Sequence, residues 1–337
     1  MGSSGMAITV ESLRKSYRGS PAVDDVTFEV AEGEIFGLLG PNGSGKTTTV
    51  ECVQGLRRAD AGRIRVLGLD PQSHRRQLRR RMGSQLQESA LPDRIKVWEA
   101  MQLFASLAPG TVDWNALIDQ WGLAAKRNAS FASLSGGQRQ RLFIALALVH
   151  DPEVVFLDEM TTGLDPAARR ETWGLIEAVR DRGTTVVLVT HFMDEAERLC
   201  DRVAVLRRPG RVMALGSPRA LVAARRAGTR LTFTLPGRPT GTALDPIGRG
   251  PEWLRDVPGV RTVARTGDLV TVTGDGAVIA HVGHALVERG VEADDLRVTQ
   301  PSLEDVYLAI TRATPGEEDA DADAHPNHLA RTEAVRP

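Results

Sequence analysis

Gly40-Pro41-Asn42-Gly43-Ser44-Gly45-Lys46-Thr47 stands between an apolar run, residues 35–39, and a helix-compatible stretch, residues 47–55. Closely spaced glycines let consecutive backbone N–H groups turn inward, and a helix start adds partial positive charge. Such a loop suits phosphate. Lys46 can reach the β- and γ-phosphates of a nucleotide, and the Thr47 hydroxyl suits Mg²⁺. Residues 154–157 read as a buried strand ending in two carboxylates, Asp158 and Glu159. Asp158, at the carboxyl end of an open sheet, is placed to hold the cation. Glu159 diverges from it by one residue and can face an attacking water. Leu134-Ser135-Gly136-Gly137-Gln138 precedes the apolar stretch 141–149. A hydroxyl and two glycines at a helix start offer a second anion site, and Ser135 can also cap that helix. Two anion sites in one chain make sense if each is completed by a partner chain around its own nucleotide.

These residues need a sheet to position them. Residues 8–13, 23–30 and 35–39 read as strands, and residues 154–157 and 185–190 as interior strands of a parallel sheet flanking a helix over 167–180. Residues 98–148 are helical in character. After about residue 224 the composition shifts. Strands over 230–235, 260–265, 269–273 and 291–299, with a helix over 277–288, predict a second, smaller α/β unit. A closing helix over 302–311 is marked by Ser302 with Asp305 three residues on, a capping pair. Residues 314–337 are acidic and without periodicity, the signature of disorder. Met1 to Gly5, ahead of Met6, read as a cloning remnant, so residues 1–6 are set outside the fold.

Composition bounds the function. The 337 residues fit about two domains. Forty-two Lys and Arg balance 43 Asp and Glu, which argues against nucleic acid. The run Arg75, Arg76, Arg79, Arg80, Arg81 reads as a solvated helix face rather than a nucleic-acid patch. Cys52 and Cys200 lie far apart and fit a reducing compartment. The longest apolar run, residues 142–149, falls far short of the ~18 residues a membrane helix needs. His325 and His328 read as scattered tail residues rather than metal ligands.

Residues 7–222 resemble the ATP-binding subunit of ABC transporters. The resemblance rests on the phosphate loop, Leu134 to Gln138 as the family signature, Asp158–Glu159, Gly163-Leu164-Asp165 as the dimer-interface loop, and His191 as the switch histidine. It implies an α/β P-loop NTPase with a mixed RecA-like sheet, an antiparallel β subdomain, a helical subdomain over about 88–150, and a small C-terminal α/β domain over 226–313. It further implies ATP and Mg²⁺, the cation held by Thr47, Asp158 and the glutamine-loop residue. That residue is Gln85 or Gln87, and the family pattern favours Gln87. Lys46, Gln87, Glu159 and His191 take catalytic roles, and Tyr17 would stack on adenine. Gly40 through Thr48 would bind ATP, with Ser135, Gly136, Gly137, Gln138 and Asp165 supplied in trans. Met160 replaces the proline usual after the glutamate, which implies a looser turn.

Pro301-Ser302-Leu303-Glu304-Asp305-Val306-Tyr307-Leu308 resembles the ending of ABC-2 type exporter ATPases, including the antibiotic-resistance group. The implied partners are a second ATPase chain, identical or similar, and separate integral-membrane permease subunits, at the cytoplasmic face of the membrane. The cargo would be a drug, antibiotic, lipid or polysaccharide. ABC ATPases acting on ribosomes or DNA usually carry two cassettes, a coiled-coil insert or zinc ligands, all lacking here. A non-hydrolysing regulatory module fits poorly with intact Lys46, Asp158, Glu159 and His191.

Overall fold

The computed structural model describes residues 5–85, 90–107, 113–224, 228–235 and 251–312. β1 (Met6–Tyr17) and β2 (Ser20–Ala31) form a hairpin, and β3 (Ile35–Leu39) runs through the glycine-rich loop into α1 (Lys46–Val53). β4 (Ala61–Val66), α2 (Arg75–Leu78) and β5 (Met82–Gln85) follow. Next come α3 (Val97–Ser106), α4 (Trp114–Gln120) and α5 (Gly136–Leu148). The chain continues through β6 (Val154–Asp158), α6 (Pro166–Asp181), β7 (Thr185–Thr190) and α7 (Met193–Leu199). β8 (Arg202–Arg207), β9 (Arg211–Gly216) and α8 (Pro218–Ala224) complete this part. The appendage holds β10 (Thr229–Thr234), β11 (Val260–Thr266), β12 (Leu269–Gly274), α9 (Val278–Glu288) and β13 (Asp294–Thr299). α10 (Leu303–Arg312) comes last.

The central sheet has the order β5-β6-β7-β3-β8-β9, parallel except for β9, which pairs antiparallel with β8. β3, β6 and β7 are buried along their whole length, as expected of strands covered on both faces. Alternate residues point to opposite sides. Ile35, Leu39, Val155, Leu157, Val186 and Leu188 pack with the helices, including Trp121 of the helical region. Phe36, Leu38, Phe156, Val187 and Val189 pack with α1 and the antiparallel sheet β2-β1-β4. The site therefore sits where β3 and β6 end, on the most deeply buried strands of the chain.

Two sequence expectations change in detail. The single helical stretch 98–148 divides, because Asp113 and Ser135 each cap a new helix: Asp113 accepts from the Asn115 N–H, and Ser135 Oγ from the Gln138 N–H. The last strand starts at Asp294 rather than 291. Strands β4, β5, β8 and β9 were not apparent from periodicity. β4 and β9 are short and largely exposed, so their pattern carries little apolar signal.

The appendage is a four-stranded antiparallel sheet, β11-β12-β10-β13, with α9 covering one face through Leu231, Phe233, Val270, Val272, Val278 and Val282. The closing helix does not join it. Ser302 does cap α10, since the Asp305 N–H donates to its Oγ at 3.3 Å and its own N–H donates to Asp305 Oδ2 at 2.9 Å. But Leu303 and Val306 are buried in the main core, beside Leu221 and Val222 of α8, and the Leu303 N–H donates to Glu197 of α7. Residues 302–311, grouped with the appendage on sequence grounds, thus pack on the first unit. The reason is the amphipathic spacing of Leu303, Val306, Tyr307 and Ile310, which matches the uncovered flank of α7 and α8. Leu303→Ala should cost about 2–5 kcal/mol in urea denaturation of the full chain. A loss below about 0.5 kcal/mol would show that α10 is only laid on the surface.

Candidate nucleotide site

The loop between β3 and α1 folds back on the helix axis. Gly45, at φ 86°, presses so close to β2 that an added Cβ would lie 2.3 Å from the Ala22 carbonyl oxygen, so only glycine fits. Lys46 is buried, and its Nζ donates to the Gly40 carbonyl at 2.7 Å and the Pro41 carbonyl at 3.1 Å. Burial lowers its pKa, opposed by the nearby negative charge of Glu159 and Asp158. Asn42, Gly43, Gly45, Lys46, Thr47, Thr48, Asp158 and Glu159 line one cleft of about 300 Å³.

Asp158 closes β6. Burial chiefly, and then the Glu159 charge, pushes its pKa up to about 6 against the pull of Lys46. Glu159 leaves the strand in a left-handed conformation, φ 48°, costly for a non-glycine residue and here fixed by the bond from its N–H to the Val189 carbonyl at 2.9 Å. That twist turns it away from Asp158. Its Oε1 lies 3.1 Å from His191 Nδ1, just beyond β7. The pairing of β6 with β7 brings these two residues together. A carboxylate aimed at a phosphate cleft and paired with a histidine is equipped to orient and polarise a water.

Other expected site residues stand outside this cleft. Ser135 and Gly136 are exposed at the start of α5, with Ser135 Oγ accepting from Gln138 N–H at 3.3 Å and Gln138 Oε1 accepting from Ser135 N–H at 3.1 Å. Gly137 approaches Leu164 and Ala168. Asp165 caps α6, accepting from the Ala167 and Ala168 N–H groups at 2.9 Å each. Tyr17 is exposed at the end of β1, with the Arg57 guanidinium 5.2 Å from its ring centre. Gln85 is buried on β5, paired with Leu157, and does not line the cleft. Gln87 lies outside the described residues, as does the tail beyond Arg312 with His325 and His328. Met160 is fully buried in the main core, so it packs the turn after Glu159 rather than loosening it.

Glu195 was missed. It is fully buried on α7, and Trp173 Nε1 donates to its Oε1 at 3.1 Å. Burial raises its pKa, opposed by Thr190, Thr161 and Trp173. It ties α7 to α6 through the Trp173 bond. The signal was available: Glu195 shares the inward face of α7 with Ala196 and Leu199. A carboxyl whose pKa is raised by folding holds its proton more tightly than the unfolded chain does, so its contribution to stability falls as pH rises above about 4.3, where the unfolded chain releases it. Glu195→Gln should therefore gain on the parent as pH rises above about 4.3, read from urea midpoints. Parallel curves for the two proteins would refute it.

Three comparisons bear on this arrangement. The ABC transporter family matches residues 23–162. The chain is 37% identical to the daunorubicin resistance ATP-binding protein DrrA3 of Streptomyces coeruleorubidus, over 90% of this chain and 96% of that protein. The chain belongs to the ABC transporter ATP-binding family. This ABC ATPase is also 43% identical to the Nod factor export ATP-binding protein I of Paraburkholderia xenovorans, over 64% of this chain and 73% of that one. A solved ATP-binding subunit of an ABC transporter superposes with a TM-score of 0.59 and 28% identity, covering 65% of this chain and 93% of that one. The expected P-loop α/β core is thus the one observed, and the cleft at Lys46, Asp158 and Glu159 opens at the ends of its strands β3 and β6. The match to DrrA3 spans the appendage as well as the ATPase unit.

Proposed function

We propose that this ATPase powers export of a drug, antibiotic, lipid or polysaccharide through separate ABC-2 type permease subunits at the cytoplasmic face of a membrane. The observation that carries this reading is the exposure of Ser135 and Gly136 away from the cleft of their own chain. A signature hydroxyl that caps its own helix and stands exposed outside its own chain's cleft suits the nucleotide of a second ATPase, identical or similar, in a head-to-tail dimer. Each site would join Lys46, Thr47, Asp158, Gln87 and His191 of one chain to Ser135, Gly136, Gly137, Gln138 and Asp165 of the other. Tyr17 would give the adenine a stacking face.

Asp158 and Thr47 offer hard oxygens within one cleft, a set that fits Mg²⁺ when phosphate and water complete its shell. Gln87 would join them. The cation, when bound, offsets phosphate charge. Among the described residues no cluster of His, Cys, Asp and Glu forms a dedicated metal cage, in keeping with a cation shared with its nucleotide. Lys46 would exchange its two loop carbonyls for phosphate oxygens, Glu159 would accept hydrogen bonding from the attacking water, and His191 would hold Glu159 in place. Release of phosphate then removes the contacts that keep the two chains closed.

The export reading draws on the relatives named for daunorubicin resistance and Nod factor export, and on the Pro301–Leu308 ending. Among the described residues no helix is long and apolar enough to cross a membrane, so the translocation path is assigned to the permease. Phosphate release should be measured on the full chain alone and with membranes carrying an ABC-2 type permease. Stimulation by those membranes supports the reading. Turnover unaffected by them, but stimulated by ribosomes or DNA, would replace it.

A further inference from the structure

The turn between β8 and β9 reaches across to the phosphate loop. On one side it is tied to β2: the Asp24 N–H donates to the Gly210 carbonyl at 3.0 Å, and Arg211 donates twice to Asp24 Oδ2, at 2.9 and 2.6 Å. On the other side, Arg208 Nε donates to the Asn42 carbonyl at 3.1 Å. Its guanidinium lies flat against Gly43, where an added Cβ would fall 2.3 Å from Nη2 and 2.7 Å from Cζ. Gly43 has φ +74°, a conformation that favours glycine, and its missing Cβ leaves the guanidinium room to lie there.

Three consecutive loop carbonyls are thus held by cations. Lys46 takes those of Gly40 and Pro41 from within the cleft, and Arg208, which does not line the cleft, takes that of Asn42 from outside. A trans peptide points its C=O and N–H in opposite directions. Holding the Asn42 carbonyl outward therefore turns the Gly43 N–H inward, toward the space that phosphate would fill. We infer that Arg208 is a positioning residue of the ATP site, fixing one backbone phosphate donor from behind the loop. The planar guanidinium suits this task because it can stack on a Cα while donating in its own plane. The inference rests on Gly40 to Thr47 being the phosphate loop of a nucleotide-binding chain.

The test is calorimetric titration of the full chain with MgATP and with MgADP, for the parent and for Arg208→Ala, Arg208→Met and Arg208→Lys. Loosening one backbone phosphate donor, an indirect effect smaller than the loss of a direct charge-assisted hydrogen bond, should raise both dissociation constants about five- to tenfold in Arg208→Ala. Arg208→Lys, which keeps a donor, should recover most of the affinity. Arg208→Met, which keeps bulk alone, should not. Turnover should show the change in KM for ATP, with kcat within about twofold. Unchanged affinity in Arg208→Ala overturns the inference, as does rescue by Met equal to rescue by Lys. Weakening confined to ATP would also overturn it, since that outcome requires direct contact with the terminal phosphate. Should Arg208→Ala fail to fold, the Lys and Met variants decide between donor and bulk. A parent protein that binds neither nucleotide would instead remove the phosphate-loop reading itself.

Discussion

Glu159→Gln should retain ATP binding while turnover falls by about 10²–10⁴-fold, the range that a positioned general base contributes. The geometry supports an effect of this size. Glu159 lines the phosphate cleft, is twisted out of β6 at φ 48°, and is held by Val189 and His191, whereas Asp158 is left to face Lys46 and the cation site. An amide preserves the volume and the approach to His191 but is a poor acceptor for a proton from water. Binding should survive, because no phosphate contact is removed. With hydrolysis blocked, ATP should also hold two chains together, so light scattering on the eluting protein should show a dimer in ATP and a smaller species without it. Turnover within a few-fold of the parent would show that Glu159 is not the residue that polarises water.

Lys46→Ala should weaken the response to nucleotide strongly without unfolding the protein. A hydrogen bond to a charged partner is worth about 1.5–3 kcal/mol, so losing the lysine lowers affinity for ATP and ADP by at least about tenfold. Without nucleotide the balance is different. Lys46 is buried and its charged form is disfavoured there, so its removal relieves desolvation while freeing two carbonyls that water in the cleft can reach. These effects offset one another. The melting temperature without ligand should stay within a few degrees of the parent, and the rise produced by ATP should shrink clearly. An undiminished ATP-induced rise in the variant would contradict the assignment. Comparison with Arg208→Ala separates a cation that meets phosphate from one that holds the loop.

The chemistry was more legible in the sequence than the folding around it. Lys46, Asp158 and Glu159 could be placed because a glycine-rich loop and a carboxylate pair each follow an apolar run, and such runs are strands buried on both faces. The approach of His191 to Glu159 needed the β6–β7 pairing, a contact between distant segments that local pattern does not encode. Arg208 and Glu195 escaped for opposite reasons. Arg208 is a surface arginine among many, distinguished only by the loop it touches. Glu195 is a carboxyl on an apolar helix face, where the charge was visible and its burial was not. The closing helix was found with its cap, but its destination was not, because the apolar stripe of an amphipathic helix fits any complementary surface.

That destination sets an order of events during synthesis. The appendage lies between α8 and α10 in the chain, yet Leu303 and Val306 of α10 belong to the hydrophobic core of the ATPase unit. A growing chain must therefore produce the whole appendage before the motor can close its own interior. Translation that halts within β10 to β13 leaves Leu221 and Val222 without their cover, a surface of the kind that invites aggregation and surveillance. A chain cut short before α10 is thus left incomplete at its core, and a removal of residues from 226 onward tests two things at once. Only an excision that spares α10 would report on the appendage alone.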